Sequence, residues 1–186
     1  MMLPSLSGLV LLYVGGVLFI NGLGLLQRVD EQALIFINAF VGIITFIVAI
    51  YLIFSETSTL IELKNPAFVL LFSGTYLWIA YNHYVNGDNR GLGWYCLFVS
   101  LTAIPISINL LQTAHGIWPI WLSYCWVSWS VLWFLYFMHL VFKKIPRRYL
   151  GYFTIIIGIA SAWLPGYLLL NTKMGSPSET GLSRDR

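Results

Sequence analysis

Long apolar stretches alternate with short polar segments along the whole chain, and this pattern predicts six membrane-spanning helices. The charge-free intervals are residues 1–27, 32–55, 65–87, 91–142 and 149–172. A helix needs about 20 apolar residues to cross the hydrocarbon core of a bilayer, so four of these intervals hold one span each. The longest interval holds two, because Gln112–Gly116 and Pro119 interrupt it near its middle. The predicted spans are residues 7–26, 33–54, 67–86, 93–111, 119–142 and 149–171.

Composition supports a membrane protein and excludes soluble classes. Of the 186 residues 59% are hydrophobic and 9% are charged, whereas a soluble domain carries roughly a quarter charged residues. The predicted fold is therefore an all-α polytopic membrane protein, with a six-helix transmembrane domain over residues 1–171. Residues 172–186 are polar and are predicted to be a disordered extracellular tail. Soluble enzymes, nucleic-acid-binding proteins and surface-associated amphipathic proteins are excluded, and no nucleic acid partner is expected.

The distribution of basic residues predicts the orientation. Six of the ten lysines and arginines follow the first, third and fifth predicted helices, so the positive-inside rule places these connections in the cytoplasm and both termini outside. These three helices also share a weak repeat of a small residue, a bulky residue, leucine and an aromatic residue. It is visible at Gly15–Phe19, Gly74–Trp78 and Trp129–Trp133. The pattern favours three hairpins, each a helix, an inner turn and a helix, around a pseudo-threefold axis.

The predicted spans contain no Asp, Glu, Lys or Arg. Ion-coupled transporters and proton pumps depend on ionisable groups within the membrane, so ion coupling and a charged substrate are disfavoured. His83, His115 and His139 lie far apart, without metal-ligand spacing, and His139 is expected at the inner interface. Cys96 and Cys125 lie within spans and are expected to be packing residues. No catalytic residue, metal ion or cofactor is predicted.

A stripe of tryptophans marks the fifth predicted helix. Trp126, Trp129 and Trp133 are spaced i, i+3 and i+7, so they lie within roughly 60° of one helix face and span about 10 Å of its axis. One interpretation is ordinary core packing. The other is a narrow slot of stacked indoles, whose flat faces sandwich a planar neutral molecule and whose N–H groups donate to its oxygen.

The first and third predicted helices offer faces that could complete such a slot. The first helix has an apolar face with a polar inner end, formed by Leu11, Val14, Leu18 and Asn21. The third helix adds Phe72, Thr75 and Tyr76. Small residues that favour close helix approach are Gly15, Gly16 and Gly74. A narrow, uncharged, hydrogen-bonding interior suits a passive pathway for a small polar non-electrolyte.

The same residues carry a family resemblance that covers about residues 7–170. The segments are Gly8–Gly15 with Asn21-Gly22, Thr75–Trp78 with Asn82-His83, Trp94–Val99, Trp126-x-x-Trp129-x-Val131-Leu132-Trp133 and Ala162–Pro165. In this combination the chain resembles the AmiS/UreI family of urea channels and short-chain amide transporters.

The resemblance implies a homohexamer in which each protomer has its own central pore and lipid fills the ring centre. It also implies a location in the cytoplasmic (inner or plasma) membrane of a bacterium, with urea or small amides and membrane lipid as partners. The pore-lining residues of the family fall on Leu11, Leu18, Asn21, Phe72, Tyr76, Trp126, Trp129, Leu132 and Trp133. The helical spacing described above selects all of these except Leu132, and it also selects Val14 and Thr75.

Two departures from the family pattern bear on gating. Acid-gated members have long outer loops with histidines and carboxylates, whereas here the loop Ser55–Pro66 has no histidine and Gln112–Pro119 has His115 alone. Gated members also carry a glutamate in the sixth helix where this chain has Ile157. The resemblance therefore implies a channel that is not acid-gated. In addition, Ser7 replaces an apolar residue of the outer pore, which predicts a wider outer mouth.

Together these features predict a passive channel for urea or short aliphatic amides that supplies a cytoplasmic amidase or urease. Two alternatives remain at this point. The protein could be a structural or accessory membrane subunit in which the tryptophan stripe packs against other helices. It could also be a proton-coupled amide transporter, which the lack of intramembrane carboxylates disfavours.

Overall fold

Residues 4–54 and 64–171 are described by a computed structural model, and this part of the chain consists of helices joined by short turns, with no strand. The helices are α1 (Pro4–Leu25), α2 (Glu31–Ile53), α3 (Lys64–Val85), α4 (Arg90–Gln112), α5 (Ile117–Leu140), α6 (Arg147–Ile157), a π-helical segment (Gly158–Trp163) and α7 (Leu164–Leu170). The last three are continuous and form the sixth span. All six predicted spans are confirmed, with ends within three residues of the prediction. The predicted tail at 172–186 and most of the connection between α2 and α3, predicted to be an outer loop, lie outside the described residues.

The exterior of the bundle is apolar, and several polar side chains are buried inside it. Helix α4, for example, exposes Trp94, Phe98, Leu101 and Ile108. Five of the spans are long and apolar enough to cross a membrane by length and composition. The exception is α3, which has the membrane-crossing length of 22 residues but a more polar sequence. An apolar surface of this extent is typical of a protein that lies in lipid.

The helices of each predicted hairpin contact one another, and the most extensive contacts join neighbouring hairpins: α2 with α3, α4 with α5, and α1 with the sixth span. Two pairs of serines form hydrogen bonds between α4 and α5. The hydroxyls of Ser100 and Ser130 each donate to the other's carbonyl oxygen over 2.8 Å. Ser107 and Ser123 repeat this exchange two turns away, at 3.0 and 2.8 Å. Such interhelical hydrogen bonds favour helix association in lipid, where burial of apolar surface contributes little.

Glycines allow α1 and the sixth span to approach closely, as predicted for Gly15. A Cβ atom on Gly15 would lie 2.5 Å from the backbone nitrogen of Trp163. At Gly74 a Cβ would lie 2.7 Å from the Tyr95 hydroxyl, so this glycine makes room for the end of a tyrosine side chain and not for the backbone of a neighbouring helix. The prediction is wrong for Gly16, where a Cβ would meet nothing within 4 Å, because adjacent residues of a helix are rotated by about 100° and Gly16 is turned away from the sixth span.

The three turns that follow α1, α3 and α5 share one backbone conformation. Each contains a non-glycine residue with positive φ: Gln27 at 58°, Asn86 at 51° and Lys143 at 56°. A left-handed residue just after a helix lets the next N–H groups return to the last carbonyls of that helix. In the first two turns the bond spans five residues, from Arg28 N–H to Leu23 O and from Gly87 N–H to Asn82 O, both at 2.9 Å. The repetition of this turn supports the pseudo-threefold arrangement.

Polar side chains fix two of these turns. His139 Nδ1 donates to the Ile145 carbonyl oxygen over 2.6 Å, so this histidine closes the turn after α5. In the turn after α3, the Arg90 backbone N–H and guanidinium bind the Asp88 carboxylate at 2.9 and 2.6 Å. These bonds stabilise the ionised form and hold the pKa of Asp88 below its ordinary value.

Candidate functional site

A cavity of about 30 Å³ lies between α1, α3, α4 and α5. By the usual requirement of roughly 10–15 Å³ for one water, it has room for two or three water molecules or one solute of similar size. Its walls are mainly apolar side chains with a few polar atoms. The lining residues are Leu18, Asn21, Phe72, Thr75, Tyr76, Ile79, Leu92, Cys96, Trp129, Leu132, Trp133 and Tyr136.

Eight of the eleven site residues that the sequence predicts line this cavity: Leu18, Asn21, Phe72, Thr75, Tyr76, Trp129, Leu132 and Trp133. The other three do not reach it. Leu11 and Val14 lie one to two turns earlier on α1, and Trp126 lies one turn before Trp129 on α5. All three are buried in the hydrophobic core, on the side of the cavity nearer the chain termini.

Four lining residues were not predicted. Tyr136 continues the spacing of the tryptophan stripe by three residues, and Ile79 does the same after Tyr76, so extending each stripe by one turn would have found both. Leu92 and Cys96 are one turn apart on α4. In the sequence, a stripe of small residues at helical spacing marks the buried face of α4 but not the part of it that reaches the cavity: Gly93, Cys96, Ser100, Ala103 and Ser107.

Phe72 is the centre of the aromatic wall. Its ring centroid lies 5.0 Å from that of Trp129, 4.9 Å from that of Trp133 and 5.8 Å from that of Trp126. The ring planes of Trp126 and Trp129 meet at 74°. The indoles therefore do not form the parallel stack expected from the sequence. Edge-to-face contacts are favourable for aromatic pairs, and they fix these rings as a rigid wall.

The indole N–H of Trp129 is already used inside the protein. It donates to Ser161 Oγ over 2.8 Å, and Ser161 Oγ donates to the Ile157 carbonyl oxygen over 2.6 Å. The expectation that this N–H donates to a solute is therefore wrong for Trp129. The N–H of Trp133 donates to none of the described residues, so it remains available at the cavity wall.

Two asparagines form a reciprocal amide pair beside the cavity. Asn21 Nδ2 donates to Asn38 Oδ1 over 2.9 Å, and Asn38 Nδ2 donates to Asn21 Oδ1 over 2.6 Å. Asn38 Nδ2 also donates to the Leu34 carbonyl oxygen over 2.9 Å. Asn38 is fully buried and Asn21 lines the cavity. The pair leaves Asn21 one N–H and one oxygen lone pair for a bound molecule.

The two hydroxyl residues of α3 that line the cavity differ in whether the hydroxyl hydrogen is free to bind a solute. Thr75 Oγ1 donates to the Leu71 carbonyl oxygen over 2.8 Å, which occupies its hydrogen. Tyr76 is buried and lines the cavity, yet its hydroxyl bonds to no residue in the described part of the chain. Tyr76 therefore offers an unoccupied donor and acceptor to a molecule in the cavity.

The cavity has no formally charged side chain in its lining. Across residues 4–54 and 64–171, no group of three or more His, Cys, Asp or Glu is placed to hold a metal ion. A neutral planar solute would meet aromatic walls and the free groups of Asn21, Tyr76 and Trp133. An ion would lose its hydration without compensation, at a cost of many kcal/mol. The fold and the site define a polytopic membrane protein that encloses a pathway-like cavity for small neutral molecules.

The comparisons with known proteins identify the family. A family model described as AmiS/UreI family transporter matches residues 6–173, so the chain belongs to this family. An acid-activated urea channel from Helicobacter pylori is 34% identical, over 87% of this chain and 96% of that protein. A putative amidate substrates transporter protein from Mycolicibacterium smegmatis is 30% identical, over 89% of this chain and 77% of that protein.

The fold agrees with a solved structure. The crystal structure of the urea channel from the human gastric pathogen Helicobacter pylori superposes with a TM-score of 0.80 at 34% identity, and the match covers 90% of this chain and 98% of that one. The all-helical six-span architecture and its assignment as a multi-pass membrane transporter follow from these matches.

Proposed function

We propose that this protein is a passive channel for urea and short-chain aliphatic amides, formed by residues 1–171 in the cytoplasmic membrane of a bacterium. The observation that carries the proposal is the neutral cavity lined by Tyr76 and Trp133, whose hydroxyl and indole N–H have no hydrogen-bond partner among the described residues. The relatives support the solute class, because one is named as a urea channel and another as a transporter of amidate substrates.

The mechanism follows from the groups at the cavity. A urea or amide molecule has a planar carbonyl group and N–H donors, and it gives up water to enter. Its carbonyl oxygen accepts hydrogen bonds from Tyr76 and Trp133, while its N–H groups donate to the free lone pair of Asn21. The rings of Phe72 and Trp129 pack against the remaining surface. These bonds replace those of water without binding strongly, which is what rapid passage requires.

The pathway continues from the cavity toward the side of the termini between Leu11, Val14 and Trp126. These side chains are packed in the core, so passage on this side requires them to change rotamer. With both termini outside, as the basic residues of the inner turns indicate, these three residues form the outer constriction and Asn21 lies toward the cytoplasmic end.

We propose that the channel is not acid-gated, unlike the relative named as acid-activated. The sequence supports this, because the loop Ser55–Pro66 has no histidine and the outer loop after α4 contains only His115. In the position of the glutamate of gated members, Ile157 is buried and its carbonyl oxygen accepts the Ser161 bond. We therefore expect urea flux to change less than twofold between external pH 5 and 7.5, and a steep rise at low pH would contradict the proposal.

Stopped-flow light scattering on proteoliposomes tests the channel function directly. We expect urea and acetamide to equilibrate faster than through empty liposomes, and sodium chloride to equilibrate no faster. Tyr76→Phe removes only the free hydroxyl, so flux should fall roughly two- to tenfold, the range of one neutral hydrogen bond. The matched control is Tyr13→Phe, because Tyr13 packs on Phe40 in edge-to-face contact and does not line the cavity.

The same assay separates the channel from its alternatives. Equal solute flux with and without protein would favour a structural subunit, and normal transport in Trp133→Ala would contradict the proposed cavity wall. Accumulation of acetamide above equilibrium under a pH gradient would favour proton coupling. On the family resemblance we also propose that the protein is a homohexamer, which a mass measurement in detergent tests. We further propose that the channel supplies its solute to a cytoplasmic amidase or urease.

A further inference from the structure

A second, larger cavity lies at the end of the bundle that bears the basic turns. It has a volume of about 370 Å³ and is open to the exterior, and its lining shares no residue with the cavity between α1, α3, α4 and α5. Arg28, from the turn after α1, and Arg147 and Arg148, from the start of α6, bring three guanidinium groups to it. Leu25, Leu26, Gln27 and Tyr152 complete its lining.

These three arginines have no anionic partner within the described residues. Asp30 and Glu31 lie in the same turn as Arg28 but do not line the cavity, and the Asp30 carboxylate instead accepts the Ala33 N–H at the start of α2. Arg90, at the same end of the protein, behaves differently because it is paired with Asp88 at 2.6 Å. The cavity therefore concentrates positive charge that nothing in the described structure neutralises.

An apolar stripe leads away from this cavity along the sixth span. Tyr152, Ile156, Ile159 and Trp163 follow one another at spacings of four, three and four residues, and all are exposed. At 1.5 Å per residue the stripe is about 16 Å long. Half of the hydrocarbon core of a bilayer is about 15 Å thick. The stripe thus has the length of one leaflet, and its basic end lies where a lipid headgroup would be.

We propose that this cavity and stripe bind an anionic phospholipid of the cytoplasmic leaflet. The phosphate lies between the three guanidinium groups, and an acyl chain follows Tyr152 toward Trp163. Arginine recognises phosphate through paired N–H donors, and basic pockets at this depth are suited to anionic headgroups. The proposal rests on the orientation given above only for the choice of leaflet, and it does not depend on the transported solute.

Native mass spectrometry of the purified full-length protein tests the site, with phosphatidylglycerol and phosphatidylcholine added separately. The triple variant Arg28→Gln/Arg147→Gln/Arg148→Gln is compared with Lys143→Gln/Lys144→Gln/Arg90→Gln, which removes three positive charges from the same side. One basic residue near an anionic lipid contributes roughly fivefold in affinity. We expect the first variant to lose on the order of 100-fold in affinity for phosphatidylglycerol, and the second less than tenfold.

Three results would overturn the proposal. Equal losses in the two triple variants would show general attraction to the basic side instead of a site. Equal binding of phosphatidylcholine and phosphatidylglycerol would show that the negative charge is not recognised. Displacement of phosphatidylglycerol by millimolar inorganic phosphate would assign the cavity to a free anion. If the triple variant does not fold, Arg28→Gln alone replaces it, with an expected loss of about fivefold, and Arg90→Gln is then the control.

Discussion

The indole N–H of Trp129 donates to the hydroxyl of Ser161 over 2.8 Å, linking the cavity wall on α5 to the sixth span. Ser161 lies in the π-helical segment Gly158–Trp163. A π-helical turn is rare and frequently occurs at functional sites. The bond fixes the rotation of an indole whose other contacts, with Phe72 and Trp126, are edge-to-face. Ser161 therefore positions a wall of the cavity without touching the solute.

The first prediction concerns this bond. Ser161→Ala leaves the buried N–H of Trp129 without a partner, which costs about 1–3 kcal/mol. We expect a lower unfolding temperature in detergent and a changed ratio of urea to acetamide permeability. Ser128→Ala is the control, because the Ser128 hydroxyl bonds only to the Tyr124 carbonyl of its own helix. A permeability ratio in Ser161→Ala equal to that of the wild type would show that the indole does not depend on Ser161.

The second prediction concerns the amide pair of Asn21 and Asn38. Each asparagine is the partner of the other, so replacing either with alanine should remove both bonds and leave an unsatisfied amide. The double variant should then cost less than the sum of the single variants, with a coupling free energy of about 1 kcal/mol or more. A double-mutant cycle of unfolding free energies in detergent measures this, and additive costs would contradict the pairing.

The third prediction uses the two cysteines. Both are buried, but Cys96 lines the cavity and Cys125 does not. A small thiol reagent such as methylmercury should reach Cys96 from the pathway and reduce urea flux by at least half. Cys96→Ser should abolish the inhibition relative to its own untreated flux, while Cys125→Ser should retain it. Inhibition that persists in Cys96→Ser would place the pathway elsewhere.

The sequence predicts the spans and most of the cavity because both depend on local patterns. Charge-free intervals set the helices to within three residues, and the spacing of Trp129 and Trp133 identifies the face of α5 that lines the cavity. Cys96 belongs to a stripe of small residues on α4, but the sequence does not show that it reaches the cavity, because this depends on how α4 packs against α5. The Ser100–Ser130 exchange that sets this packing joins residues 30 positions apart.

Hydrogen-bond partners were even less accessible from the sequence. The pattern shows that Trp129 faces inward but not that its N–H is already occupied, since that depends on the π-helical turn that contains Ser161. Asn38 gave no signal either, because one amide in an apolar helix does not reveal which neighbour it meets. In both cases the decisive information is the rotation of one helix against another.

The last prediction compares two adjacent glycines of α1. A Cβ on Gly15 would lie 2.5–2.7 Å from the backbone and Cβ of Trp163, whereas a Cβ on Gly16 would meet nothing within 4 Å. Since backbone atoms cannot move aside as a flexible side chain can, Gly15→Ala should force α1 away from the sixth span, at a cost of about 1–3 kcal/mol or more. Gly16→Ala should be neutral or stabilising, because alanine is favoured over glycine within a helix by up to about 1 kcal/mol. Thermal unfolding in detergent measures the stability of both variants. Urea flux should also fall in the Gly15→Ala variant, because the cavity-lining residue Leu18 lies one turn further along the displaced helix. Equal stability of the two would mean that α1 and the sixth span are not in backbone contact at this point.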